Sequence, residues 1–310
     1  MANQILTTSH GTNREAFGGR DWALFASIST IWGSSFLFMA IGLDSFHPGL
    51  VTWLRIGFGA SFMALLPRAR RAEIPKTERK KIVVLGLIWL AIPFVIFPIA
   101  QQWIDSSVTG MLNGATPIFT AVVASVLLWQ LPGRLQIIGL FVGLAGILSI
   151  ALPSAGESTN AAIGVVLVML ATVCYAFATN IVAPLQQNYG SIAVMARVQW
   201  VALAIVTPYG LYGLTQSEFS WPSLIAMSAV GILGTGFALV LMGSLVGSVG
   251  PTRASFVTYA YPVVALVLGV VFRDEIVSPI AIAGIALVIA GALIASRSEV
   301  SLKPLPAEAP

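Results

Sequence analysis

The sequence predicts an all-α integral membrane protein whose ten transmembrane helices form two five-helix inverted repeats. Three observations lead to this fold class. Charged residues make up only 9% of the 310 residues and apolar ones 57%, which is too little charge to cover a soluble globule of this size. The apolar residues fall into runs of membrane-spanning length, and the second half of the chain repeats the first.

The duplication is clearest between residues 108–151 and residues 251–295. A shift of 145 positions superposes three pairs of residues, Pro117 on Pro262, Gly139 on Gly284 and Gly146 on Gly291. Each copy holds two apolar runs separated by a short polar break, so each copy predicts a helix pair. In the earlier helices, Trp32 matches Tyr175, and Arg55 has its nearest counterpart in Arg197. The repeat therefore covers five helices.

An apolar helix of about 20 residues is long enough to cross a hydrocarbon core about 30 Å thick. The predicted spans are 22–43, 50–66, 82–102, 106–129, 135–152, 163–185, 192–212, 222–247, 252–272 and 279–295. These spans predict an N-terminal tail (1–21), a first repeat (22–152), a polar linker (153–162), a second repeat (163–295) and a C-terminal tail (296–310). Because five is an odd number, the second repeat must enter the membrane upside down relative to the first.

The charges support cytoplasmic N- and C-termini. With that orientation, the basic residues that fall on the cytoplasmic side are Arg14, Arg20, Arg68, Arg70, Arg71, Lys76, Arg79, Lys80, Lys81, Arg134, Arg253, Arg297 and Lys303. Among the outer loops only the one at Arg273 carries a basic residue. The acidic residues that fall outside are Asp44, Asp105, Glu157, Glu218, Asp274 and Glu275. This distribution follows the positive-inside rule.

The second copy of the repeat combines a proline, an apolar run, a charged turn that ends at Glu275 and a glycine-containing helix. The first helix carries Trp-Gly-Ser-Ser-Phe at residues 32–36, and the second pairs Leu54 with Arg55. Over nearly the whole chain these features resemble the EamA family of the drug/metabolite transporter superfamily. The first copy departs from the family pattern at residues 129–131, Trp-Gln-Leu, where an acidic residue is usual.

The resemblance implies a bacterial inner-membrane exporter of small metabolites, most of all amino acids. More narrowly, it points to the branch of the family that exports aromatic amino acids and methyl viologen. It also implies alternating access through a central cavity between the repeats. A multidrug or organic-cation exporter of the same fold and an uncoupled channel are the alternatives. The expected partners are a small-molecule substrate and the lipid bilayer, with no nucleic acid. The sequence does not decide between a monomer and a homodimer.

The residues argue against an enzyme. His10 and His47 both lie outside the predicted spans, and the chain has neither H-E-x-x-H nor G-x-S-x-G. The single cysteine, Cys174, excludes a disulfide framework and a cysteine-based metal site. We therefore expect no catalytic residues, no cofactor and no metal ion.

Substrate-binding candidates are the polar and aromatic side chains that the spans place at mid-depth or on the helices around the expected cavity. They are Trp32, Ser35, Arg55, Gln101, Asn113, Thr116, Tyr175, Asn180, Trp200, Thr258 and Tyr259. For the tryptophans a packed bundle core is the alternative, and for the amides and hydroxyls a hydrogen bond between helices explains the residue equally well.

Arg55 and Arg197 are the only charges well within the spans. Each could extend its guanidinium to water at the membrane surface, Arg55 at the outer face and Arg197 at the inner one. The competing hypothesis is that Arg55 faces the cavity and attracts a substrate carboxylate. Because no Asp or Glu lies at mid-depth, proton exchange through such a residue is not expected.

Glycines and prolines predict close contacts and bending points. Gly139, Gly143 and Gly146 on the fifth helix, with Gly284 and Gly291 on the tenth, should permit another helix backbone to approach closely, and Gly243 and Gly247 should do the same on the eighth. Packing within the chain is the expected role, with a dimer contact as the alternative. The candidate bending points are Gly33, Pro93, Pro98, Pro117, Pro208, Gly234, Gly236 and Pro262.

Overall fold

A computed structural model of the chain describes residues 18–71, 73–127, 133–249 and 254–296. Within these residues the protein is all-helical, as predicted. The helices are α1 Gly19–Leu43, α2 Pro48–Leu65, α3 Pro67–Arg71, α4 Arg79–Leu85, α5 Ile92–Ala100, α6 Ser106–Asn113, α7 Thr116–Leu127, α8 Arg134–Glu157, α9 Thr159–Tyr189, α10 Ser191–Thr215, α11 Trp221–Ala229, α12 Ala238–Val249, α13 Val257–Arg273 and α14 Pro279–Ser296. Most of the two predicted tails, and Trp129, Gln130 and Leu131, lie outside the described residues.

Seven helical stretches of the described chain are long and apolar enough to cross a membrane. They are Gly19–Leu43, Lys76–Ala100, Ser106–Leu127, Arg134–Glu157, Thr159–Tyr189, Ser191–Thr215 and Trp221–Val249, and two shorter apolar helices follow at Val257–Arg273 and Pro279–Ala295. The fifth predicted span continues as helix to Glu157, so that only Ser158 separates α8 from α9. The hydroxyl of Ser158 accepts a hydrogen bond from the N–H of Ala161 and caps α9.

Two of the apolar stretches contain a π-helical segment, at Gly86–Ala91 and at Val230–Phe237. The shift of 145 positions that relates the repeats places the first segment on the second. Pro93 explains the first one, because it has no N–H to donate to the carbonyl four residues back and the ladder shifts to bonds five residues long, as from Ile92 to Leu87. The second segment instead contains glycines, including the predicted bending points Gly234 and Gly236.

The stretch Ser106–Leu127 breaks into α6 and α7 just before Pro117. Pro117 cannot donate to the carbonyl of Asn113, four residues earlier. That carbonyl instead accepts hydrogen bonds from the hydroxyls of Thr116 (2.7 Å) and Tyr261 (3.0 Å). The carbonyl at the break is therefore satisfied by one side chain from each repeat.

Packing between helices follows the duplication. The helix α1 packs against α13, and its counterpart α9 packs against α6 and α7, which correspond to α13. In the same way α2 packs against the second π-helical segment while α10 packs against the first. Each repeat thus completes the packing of the other.

The close backbone approach predicted at the glycines of the fifth and tenth helices is confirmed, and the structure shows that these two helices meet each other there. A Cβ atom at Gly146 would lie 2.6 Å from the carbonyl oxygen of Gly284, and one at Gly139 would lie 2.5 Å from that of Gly291. The same expectation for Gly243 and Gly247 is wrong within the chain, because neither has an atom within 4 Å of the Cβ position. These two glycines lie on a face of α12 that no other described residue approaches closely, whereas Leu245 and Ser248 on another face contact α1.

Candidate functional site

A cavity of about 250 Å³ lies among helices of both halves of the chain. Its lining residues are Trp32, Ser35, Phe36, Arg55, Trp89, Leu90, Phe94, Phe97, Asn113, Thr116, Tyr175, Thr179, Met195, Gly234, Thr235, Leu239, Thr258 and Tyr261. We refer to it as the central cavity. Its walls are mainly aromatic and apolar, with a few polar groups, as is usual for a small-molecule site.

The side chains that line the central cavity differ between the two ends of the bundle. We call the end where Arg273 pairs with Asp44 the Asp44 end, and the opposite one, with the basic α3–α4 region, the Lys81 end. Towards the Asp44 end the rings of Phe36, Phe97 and Tyr261 pack together, with Phe36 stacked on Tyr261 at 6.4 Å between centroids. Towards the Lys81 end the lining passes to smaller or more flexible side chains, Thr179, Met195, Leu239 and Thr258.

Trp32 is fixed by the second π-helical segment. Its indole Nε1–H donates to the carbonyl of Gly234 at 3.1 Å, and its ring lies edge-on to Tyr261 with centroids 6.5 Å apart. A π-helical segment leaves main-chain carbonyls available to side chains. Here the carbonyl of Gly234 in the second repeat accepts a hydrogen bond from Trp32 of the first repeat. The buried indole N–H of Trp32 therefore has a hydrogen-bond acceptor, and the indole ring is left to line the cavity.

Arg55 extends into the central cavity from α2. Its Nε–H donates to the hydroxyl of Thr235 at 3.4 Å, its Nη1–H to the sulfur of Met39 at 3.1 Å, and its Cζ lies 3.8 Å from the centroid of Phe94. Across the described ranges no carboxylate forms an ion pair with it. Arg55 is thus a cation held by weak acceptors and a ring face, inside a largely apolar pocket.

Gln199 supports the wall that carries Thr235. Its side chain is 0% exposed, and its Nε2–H donates to the main-chain carbonyl of Thr235 at 2.8 Å. The Thr235 hydroxyl in turn donates to the carbonyl of Val230, five residues back, at 3.2 Å. The second π-helical segment is therefore held from α10 as well as from α1.

The structure brings seven of the sequence candidates together around the central cavity. They are Trp32, Ser35, Arg55, Asn113, Thr116, Tyr175 and Thr258. The other four lie elsewhere: Gln101 at a second cavity, Asn180 bonded to the carbonyls of Ala176 and Thr120, Tyr259 bonded to the carbonyl of Ala292, and Trp200 at the surface. Trp200 is 49% exposed because its neighbour Gln199 faces the core, and successive helix residues point about 100° apart.

A second cavity of about 450 Å³ lies at the Asp44 end. Its lining is more polar and includes Gln101, Asp105, Ser154, Glu157 and Ser278. Gln101 lines this second cavity, and its Nε2–H donates at 3.3 Å to the carbonyl of Phe36, a residue that lines the central cavity. Burial raises the pKa of the Asp105 carboxyl, and the nearby Glu275 and Glu157 carboxylates add to the rise.

Glu275 closes the start of α6 at the same end. Its carboxylate accepts hydrogen bonds from the N–H of Ser106 (2.9 Å), the hydroxyl of Ser106 (2.6 Å) and the N–H of Ser107 (2.8 Å). A negative group at a helix N-terminus is favourable because the first N–H groups there have no partner within the helix. The loop of the second repeat therefore caps a helix of the first.

Sequence reasoning missed the phenylalanines of the central cavity, Phe36, Phe94 and Phe97, together with Met195 and Thr235. An apolar side chain on a membrane helix gives no signal that separates a cavity from lipid. For Phe94 and Phe97 the neighbouring prolines, Pro93 and Pro98, were the available sign that this stretch is irregular.

The model of the EamA-like transporter family matches residues 21–152 and, again, residues 162–297. The chain is 28% identical over 267 residues to the uncharacterized inner membrane transporter YedA of Escherichia coli K12, covering 83% of this chain and 84% of that protein. It is 24% identical to a probable terminal-alkyne amino-acid exporter of Streptantibioticus cattleyicolor, covering 89% and 93%. A crystal structure superposes with a TM-score of 0.59 at 16% identity, covering 89% of this chain and 96% of the other, and shows the fold alone.

Proposed function

Because the chain belongs to the EamA-like transporter family, we propose that it exports small metabolites, chiefly amino acids, across a bacterial inner membrane by alternating access. The relative from Streptantibioticus cattleyicolor, named as a probable amino-acid exporter, supports the amino-acid class. The relative from Escherichia coli K12, named as an inner membrane transporter, supports the location.

The proposed topology has ten spans in two inverted units, with the Lys81 end in the cytoplasm. Basic residues are concentrated at that end, in the stretch from Arg68 to Lys81. Acidic residues at the Asp44 end include Asp105, Glu157 and Glu275. This asymmetry agrees with the positive-inside rule.

The central cavity is the observation that carries the proposal. It lies among helices of both halves, as inverted-repeat carriers require of a substrate site. Its lining reaches towards the Lys81 end, while Phe36, Phe97 and Tyr261 occupy the side facing the Asp44 end. In the proposed topology this is a state that loads substrate from the cytoplasm, which is the first step of export.

The change to the other state would then separate the ring cluster of Phe36, Phe97 and Tyr261 and close the cytoplasmic side. The two π-helical segments are the proposed flexible elements, since such segments allow a helix to bend without losing its whole hydrogen-bond ladder. Motions of this kind limit the rate of many carriers and enzymes.

Counterflow in proteoliposomes tests the proposal. Vesicles loaded with one unlabelled amino acid should accumulate the same labelled amino acid transiently and saturably, in an exchange that empty vesicles do not show. Saturable exchange of methyl viologen but of no amino acid would favour the organic-cation alternative. Non-saturable flux without counterflow would indicate a channel and contradict the carrier mechanism.

A further inference from the structure

We propose that Arg55 binds a carboxylate of the transported molecule, so that the central cavity accepts monocarboxylates and zwitterions and refuses organic cations. This deepens the proposed function and rests on it, since it names the chemical class that the same cavity selects. It begins from a charge that the protein itself does not neutralise.

A guanidinium inside a largely apolar bundle is costly unless it is paired. The partners of Arg55 are the sulfur of Met39, which is a weak acceptor, the hydroxyl of Thr235 at 3.4 Å, and the ring face of Phe94. None of these is an anion. A carboxylate in the cavity would supply the negative charge that these partners lack.

The geometry leaves room for such an anion. Arg55 lines the central cavity, and within the described residues its Nη2 has no hydrogen-bond partner. A guanidinium presents its donors as a planar fork that matches the two oxygens of a carboxylate. A carboxylate could replace the weak acceptors with one or two charge-assisted bonds.

Two other arginines, Arg197 and Arg273, have stronger acceptors within the protein. Arg197, the counterpart of Arg55 in the second repeat, donates to the carbonyls of Ala193 (2.9 Å) and Ala69 (3.3 Å) and does not line the central cavity. Arg273 makes a two-point ion pair with Asp44, at 2.7 and 3.0 Å. Arg55 and its nearest counterpart in the second repeat, Arg197, thus have different surroundings, and Arg55 is the one that faces the cavity.

The remainder of the lining has groups for an ammonium ion but no anion of its own. Among the described residues, none of those that line the cavity is Asp or Glu. Trp32, Trp89, Tyr175 and Tyr261 offer ring faces, which attract an ammonium more weakly than a carboxylate does. A zwitterion can use both features, whereas an organic cation meets the positive charge of Arg55 without compensation.

Ligand-induced thermal stabilisation of the purified full-length protein tests the subsite with three probes of one shape. L-Phenylalanine carries both charges, 3-phenylpropionate only the carboxylate, and 2-phenylethylamine only the ammonium. We expect the two carboxylates to stabilise the wild type saturably and 2-phenylethylamine to have no such effect. The variant Arg55→Gln should weaken carboxylate binding by about tenfold or more, while Arg197→Gln should leave it unchanged.

Arg55→Lys keeps the charge but loses the fork, and should bind the carboxylates with intermediate affinity. If Arg55→Gln does not fold, the comparison of wild type with Arg55→Lys decides the matter. Equal carboxylate binding by wild type and either Arg55 variant would overturn the proposal. So would the absence of carboxylate-dependent stabilisation in the wild type, or equal stabilisation by 2-phenylethylamine.

The failure of this inference can be distinguished from the failure of the proposed function. Amino-acid counterflow that persists undiminished in Arg55→Gln would leave the carrier intact and remove Arg55 from recognition. Carboxylate binding that depends on Arg55, in a protein that exchanges no amino acid, would support the subsite and reject the proposed transport.

Discussion

The hydroxyl of Tyr261 donates a 3.0 Å hydrogen bond to the main-chain carbonyl of Asn113, the carbonyl that Pro117 leaves without a partner in its own helix. Asn113 belongs to the first repeat and Tyr261 to the second, so the second half supplies one of the two hydroxyls that satisfy this carbonyl, the other being that of Thr116. The Tyr261 hydroxyl also accepts a bond from the Asn113 side-chain amide at 2.9 Å. The break beside the central cavity is therefore a fixed part of its wall.

Replacing Tyr261 by Phe should lower the free energy of unfolding by about 1–3 kcal/mol, because a buried carbonyl and amide each lose a partner. The melting temperature of the purified protein measures the loss. Tyr212→Phe is the matched control, since Tyr212 is 57% exposed on α10 and should change little. If both variants melt like the wild type, the hydroxyl does not stabilise the break.

Glu275→Gln should destabilise the Asp44 end. The neutral amide loses the charge that favours the first N–H groups of α6, and it cannot accept all three bonds equally well. We expect a loss of about 1–3 kcal/mol, read from the melting temperature and from faster amide exchange at Ser106 and Ser107. The control is Asp274→Asn, because Asp274 has φ of 53°, a conformation that Asn tolerates well. Unchanged exchange at α6 in Glu275→Gln would contradict the capping role.

Gly146→Ala should weaken the contact between α8 and α14. The added Cβ would lie 2.6 Å from both the carbonyl oxygen of Gly284 and the N atom of Val288, and backbone cannot move aside cheaply. Overpacking of this kind costs about 1–3 kcal/mol. Gly156→Ala on the same helix meets nothing within 4 Å and serves as the control. Equal melting temperatures for the two variants would show that the helices pack less closely than described.

The titration of Asp105 gives a prediction for pH. Its folded-state pKa is raised by burial and by the neighbouring Glu275 and Glu157. The protonated Asp105 carboxyl therefore contributes to the free energy of unfolding below the ordinary carboxyl pKa, and this contribution is lost as the pH rises through the raised folded-state pKa. Asp105→Asn should remove this loss, so that melting temperature varies less from about pH 4 to pH 7 than in the wild type. A variant with the same pH dependence as the wild type would exclude Asp105 as its source.

Much of the fold follows from the sequence because apolar run length and the repeated glycines depend on local features. Gly139 and Gly146 predict that another backbone approaches α8 closely, and the runs predict where most helices lie. The rotation of each helix about its axis, which decides which residues face the core, cannot be predicted from the sequence. Lipid and protein interior are both apolar, so nothing in the sequence indicates that Gln199 faces the core and Trp200 the surface.

The site shows the same division. Polar candidates such as Arg55, Asn113 and Thr258 could be selected because polarity within a span is exceptional. The ring cluster around Phe36 could not, since an apolar ring on an apolar helix is unremarkable in sequence. The π-helical segments were also hidden, because a proline or glycine marks an irregular helix without fixing how its hydrogen bonds rearrange.

Pro93→Ala tests whether the first π-helical segment acts as a hinge. Alanine supplies the N–H that Pro93 lacks, so Gly86–Ala91 can return to a regular α-helix and become stiffer. We expect slower counterflow with little change in the affinity for amino acids, because Pro93 does not line the central cavity. Pro279→Ala is the control, since Pro279 occupies the first position of α14, where no N–H is required. Loss of affinity as large as the loss of rate would mean that Pro93 shapes the binding site instead of its motion.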